Sequence, residues 1–138
     1  MQPLAPAYLA EIARQIGFIG AFLGGVSASF IVALIALPER RRVSGWAVAC
    51  AAAAAVAFIV SVVATTMLVV TLHPDAPAGM ARHVGRGRVV SLLSFMAGIY
   101  LLLGCVGLSG WLRSPRMGRA TAALAAAGAV LVTVSIVG

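Results

Sequence analysis

Four long runs of apolar residues set the rhythm of the chain, and short clusters rich in proline, glycine and arginine separate them. The runs cover 16–37, 43–72, 89–112 and 120–137, and no Asp, Glu, Lys, Arg or His falls inside any of them. As helices rising ~1.5 Å per residue they reach about 33, 45, 36 and 27 Å. The hydrocarbon core of a bilayer is about 30 Å thick, so each run is long enough, or nearly so, to cross it. Backbone groups in lipid must pair within their own segment, which makes these runs helices rather than isolated strands. The pattern therefore predicts an all-α polytopic membrane protein, a four-transmembrane-helix bundle forming a single domain over residues 1–138. The second run is too long to stand upright and is expected to tilt or project. The fourth is short and alanine-rich and is expected to lean on its neighbours.

The breaks agree with this division. Pro38-Glu39-Arg40-Arg41-Arg42 closes the first run, His73-Pro74-Asp75-Ala76-Pro77-Ala78-Gly79 the second, and Arg113-Ser114-Pro115-Arg116 the third. Proline and glycine are the strongest local breakers. Before the first run, Tyr8, Leu9 and Ile12 lie roughly opposite Glu11 and Arg14, which predicts a short interfacial lead-in. No basic n-region precedes that run, and the run is too long for a signal-peptide core.

Composition sharpens the class. Hydrophobic residues make up 62% of the 138 residues and charged ones 9%, with a mean hydropathy of +1.10. A soluble domain carries about 25% charged residues to face water. The net charge of +7 comes from ten arginines against Glu11, Glu39 and Asp75. Those arginines are split among short loops and form no stripe, so nucleic acid is not an expected partner. Membrane lipids are, and Arg40, Arg41, Arg42, Arg113, Arg116 and Arg119 form the candidate lipid-headgroup and topology cluster. These six arginines in the first and third loops outweigh Arg14, Arg82, Arg86 and Arg88 on the other side, which favours cytoplasmic first and third loops and outward termini. The expected location is a membrane of the bacterial inner, or cell, membrane type.

The search for chemistry excludes more than it finds. Proton-coupled carriers keep an ionisable residue in the membrane, and this chain has none in its runs. His73, Asp75 and His83 share a loop but match no metal-ligand spacing, and read as a solvated loop. Ser91 and Ser94 have no base near them in sequence. No catalytic residue, metal site or cofactor is expected, and the chain does not read as an enzyme. Cys50 and Cys105 fall at similar depth in the second and third helices. They read as apolar fillers, with a thiol pair the sharper alternative.

The positive signal is small residues at helical spacing. Gly17, Gly20, Gly24 and Ala28 share a face of the first helix, with Ala21, Gly25 and Ser29 beside them. Ala49, Ala53, Ala57 and Ser61 recur every fourth residue in the second, and Gly104, Gly107 and Gly110 every third in the third, below Gly98. Such faces let helix backbones approach closely in lipid. Gly17, Gly20, Gly24, Gly25 and Ala28 are accordingly the candidate helix-packing or pore-lining residues, serving either the chain's own bundle or a homo-oligomer built around the first helix.

The stretch Leu93-Ser94-Phe95-Met96-Ala97-Gly98-Ile99-Tyr100, continuing to Gly110-Trp111-Leu112-Arg113, resembles the third helix of Orai-type calcium channels. Gly20-Ala21-Phe22-Leu23-Gly24-Gly25 is similar to the start of that family's pore helix, and Arg14 falls near its basic inner positions. The resemblance implies a ring of first helices with cytoplasmic N-termini. It departs at the selectivity position, where the family's glutamate is matched by Ala33, and at a third-helix acid, matched by Cys105. Without carboxylate oxygens there is no hard site for calcium. The expectation is a small, non-catalytic, homo-oligomeric, channel-like protein; the alternative is an accessory subunit docking on other membrane subunits.

Overall fold

The computed structural model describes residues 6–36, 42–73 and 84–137. It contains four long helices: α1 Pro6–Ile35, α2 Arg42–Thr71, α3 Val84–Ser109 and α4 Pro115–Val137. A short 3-10 turn, Gly110–Leu112, joins α3 to α4. No strand occurs among the described residues. All four helices are long and apolar enough to span a membrane. This is the predicted helical membrane bundle, and the chain is an integral membrane protein by the length and apolarity of its helices.

Helix boundaries reach past the apolar runs. The lead-in is no separate element: α1 starts at Pro6 and runs through without a break. Glu11 and Arg14 interrupt the apolar run but not the helix, because they lie one turn apart on its exposed side, 3.8 Å from each other. Likewise α3 begins at Val84, with Arg86 and Arg88 inside its first turns, and α4 begins at Pro115 rather than residue 120. Ser114 and Pro115 act as a start signal as well as a stop. The Ser114 hydroxyl accepts from the Met117 amide at 3.2 Å, and its carbonyl from the Gly118 amide at 2.9 Å. Proline at the first helical position gives up only an amide that has no intrahelical acceptor.

The packing follows chain order. α2 is the centre, pressed between α1 and α3, while α4 touches only α3 and the turn before it. The two central interfaces share one spacing. In α2 the buried residues are Ala47, Ala51, Ala54, Phe58, Ser61, Thr65 and Leu68, alternating steps of four and three. In α1 the sequence Ala13, Gly17, Gly20, Gly24, Ser27, Ile31, Leu34 repeats the same steps, every member buried or half-buried. A mean step of 3.5 keeps a seam on one face of a gently supercoiled helix pair. The strict four-residue stripe expected for α2 is corrected here. Ala49 and Ala53 are exposed, Ala57 is half-buried, and only Ser61 is buried. Four residues turn an α-helix by about 400°, so such a row drifts off its face by about 40° per step.

Bulk is complementary across the α1–α2 seam. Gly20 and Gly24 of α1 lie against Phe58, and Gly17 against Thr65; toward the other end Leu34 of α1 packs with Ala47 and Ala51. Phe58, fully buried, also fills the gap to α3, where its ring covers Gly98 and meets Phe95 edge-on at 6.0 Å. One hydroxyl ties α2 to α3: Ser61 donates to the Ser91 carbonyl at 3.2 Å.

α4 is attached as a zipper. Tyr100 and Thr133 share a hydrogen bond of 2.7 Å, Leu103 faces Gly128, Gly107 faces Ala122 and Ala125, and the Trp111 ring lies over Gly118. The Thr121 hydroxyl faces the Gly107 carbonyl at 3.1 Å, but also its own-helix carbonyls of Met117 and Gly118 at 3.1 and 3.2 Å. A single proton is shared among three acceptors, so its bond across the interface is worth little. Thr121→Val is expected to cost about 0.6 kcal/mol, the usual size of an interhelical hydrogen bond in lipid. Unfolding in mixed micelles measures it, and a loss of several kcal/mol would mean that the hydroxyl is committed to Gly107.

Candidate functional site

The predicted site residues of α1 divide into two groups. A Cβ added at Gly17 would lie 3.0 Å from the Thr65 hydroxyl oxygen; at Gly20, 3.3 Å from Val62; at Gly24, 3.5 Å from Phe58. These three glycines are occupied by the chain's own α2. Gly25 is different: nothing lies within 4 Å of its added Cβ, and it is exposed, as is Ala28. The face expected to hold Gly17, Gly20, Gly24 and Ala28 together therefore splits, with Ala28 turned away from the seam and Ser27 buried in its place.

Beside that seam α1 carries a second small-residue face. Ala21, Gly25, Ser29 and Ala33 recur every fourth residue and, with Phe22 and Phe30, line an open groove of about 630 Å³. The Ser29 hydroxyl donates to the Gly25 carbonyl at 3.0 Å. Ala33, the position that the Orai-type resemblance sets against a selectivity filter, lies in this groove.

The buried hydroxyls of the seams are engaged within the chain. Ser27 donates to the Leu23 carbonyl at 2.9 Å, and Thr65 to the carbonyls of Ser61 and Val62 at 2.9 Å each. No buried side-chain nitrogen or oxygen among the described residues lacks a partner. These hydroxyls are bound back to their own helix, and that of Ser61 reaches across to α3. Cys50 and Cys105 come together: Cys105 is fully buried with Leu34, Ala47 and Ala51, and Cys50 packs against that cluster. Both are free thiols. Among the described residues no group of three or more His, Cys, Asp or Glu could hold a metal.

Of the arginine cluster, Arg113, Arg116 and Arg119 are exposed around the α3–α4 junction. Arg42 opens α2. Arg40 and Arg41 lie outside the described residues, as do Asp75, Arg82 and His83. Two exposed tryptophans, Trp46 near the start of α2 and Trp111 in the 3-10 turn after α3, stand at this same end of the molecule. Tryptophan with arginine marks a headgroup level. No family model, no curated protein and no solved structure matches the chain.

Proposed function

We propose that this is a non-catalytic membrane protein that assembles with copies of itself through the outer face of α1, forming a small channel-like ring. One observation carries the reading: Ala21, Gly25, Ser29 and Ala33 form a groove that no other helix among the described residues fills, directly beside a glycine seam that is filled. Lipid tails cover large apolar side chains as well as another protein does. A groove floored by small residues gains more from a second helix, whose backbone can approach closely. Permeation would follow a path between copies, where Ser29, backbone and apolar constrictions would set selectivity in place of charge. The likeness to Orai-type helices points the same way and puts Ala33 toward the axis. An all-helical protein of this kind belongs to an inner-type cell membrane, since outer-membrane spans are barrels.

Two neighbouring glycines separate assembly from folding. Gly25→Leu is expected to convert the particle to monomers while each chain keeps its unfolding midpoint, because the position is exposed and an added Cβ there has no neighbour within 4 Å among the described residues. Gly24→Leu is expected to lower that midpoint, because its side chain drives into Phe58. Mass measured in mild detergent reads the first and thermal unfolding the second. A wild-type chain that is monomeric alone and purifies with a larger complex would instead support the accessory-subunit reading, with the same groove as its docking face.

A further inference from the structure

A second hollow lies at the opposite end of the molecule, between α1, α2 and α3. α1 supplies Ile12 and Ile16, α2 supplies Leu68, the turn after it Leu72, and α3 supplies Leu92 and Arg88. Ala13, Thr65 and Ser91, each about 2% exposed, close its inner side. Its volume is about 140 Å³. An apolar cavity of about 150 Å³ takes up a benzene ring, so this one has room for about six carbons. The hydroxyl of Thr65 is bonded to its own helix. Apart from Thr65, Ser91 and Arg88 the lining residues are apolar, which suits an alkyl chain.

Among the described residues Arg88 is the one charged residue lining the hollow. It is exposed and lies one turn below Val84, where α3 begins, which is headgroup depth in a spanning helix. Glu11, the acid among the described residues, is engaged with Arg14. A guanidinium above an alkyl-sized hollow complements an amphiphile with an anionic head and a hydrocarbon tail. We propose that this three-helix hollow is a binding site for one anionic phospholipid of the surrounding bilayer, its phosphate on Arg88 and part of one acyl chain between Ile12, Ile16, Leu68 and Leu92. The site is independent of the α1 groove.

The test is native mass spectrometry of the full chain released from nanodiscs of equal phosphatidylglycerol and phosphatidylcholine. The wild type is expected to retain phosphatidylglycerol about five-fold over phosphatidylcholine, the effect of one arginine on an anionic headgroup. Arg88→Gln is expected to bring that ratio to about one, while Arg86→Gln, outside the hollow, leaves it unchanged. Ile12→Trp is expected to abolish retention by filling the space, with thermal unfolding checking that it folds. Equal retention of both lipids by the wild type would overturn the proposal. So would an undiminished preference in Arg88→Gln, or wild-type retention in a folded Ile12→Trp.

Discussion

Phe58→Ala is expected to destabilise the bundle by about 3 kcal/mol, the low end of phenylalanine truncations in protein cores. The side chain is fully buried and fills two gaps at once. Its Cβ lies against Gly24 of α1, and Gly98 of α3 lies under its ring. The phenylalanine occupies the space that these two glycines leave. The loss stays at the low end because helix association in lipid is held by packing contacts and gains little from removing apolar surface from water. Unfolding of the variant in mixed micelles measures the cost. A change below about 1 kcal/mol would mean that the helices close over the gap and that Phe58 is no hub.

The second large effect is expected at Gly110. A Cβ there would lie 2.8 Å from the carbonyl oxygen of Met117 and 2.9 Å from the γ-methyl of Thr121. The first of these is backbone, which no rotamer change can move aside. Gly110 is also held in the tight α3–α4 turn, its carbonyl accepting from the amides of Arg113 and Ser114 at 3.2 and 3.3 Å. Gly110→Leu is therefore expected to pry α4 away from α3, at a cost of about 3 kcal/mol, the upper range for overpacking. α4 meets no other helix of the chain. Proteolysis or disulfide trapping between α3 and α4 should report the separation while α1–α3 remain folded. A variant with α4 still docked and unchanged stability would show that the turn has slack.

Hydropathy and length made the four spans legible, because lipid leaves a long uncharged run few alternatives to a helix. The ends were less legible. Glu11, Arg14, Arg86 and Arg88 lie inside helices, since a charge at headgroup depth ends an apolar run without ending the helix. The seam of α2 was hidden for a different reason. Alanine occupies Ala47, Ala49, Ala51, Ala53 and Ala54 alike, so composition cannot say which face is buried. Only the partner spacing in α1 and the bulk of Phe58 select Ala47, Ala51 and Ala54. The candidate site was half legible. Small residues on α1 were visible in sequence, but which row serves the chain itself and which stays open depends on where α2 lies. The hollow beside Arg88 was not legible at all, because its lining comes from three helices and its residues are ordinary leucines and isoleucines.

Everything rests on each helix crossing the bilayer, with its ends on alternate sides. Single cysteines placed at Tyr8, Ser44, Arg86 and Arg113, in a chain whose Cys50 and Cys105 are replaced by alanine, test this directly with an impermeant thiol reagent on sealed vesicles. Positions 8 and 86 are expected to react from one side, 44 and 113 from the other, and a cysteine at Ile59, midway along α2, from neither. Labelling of all four ends from one side, or ready labelling at position 59, would contradict it.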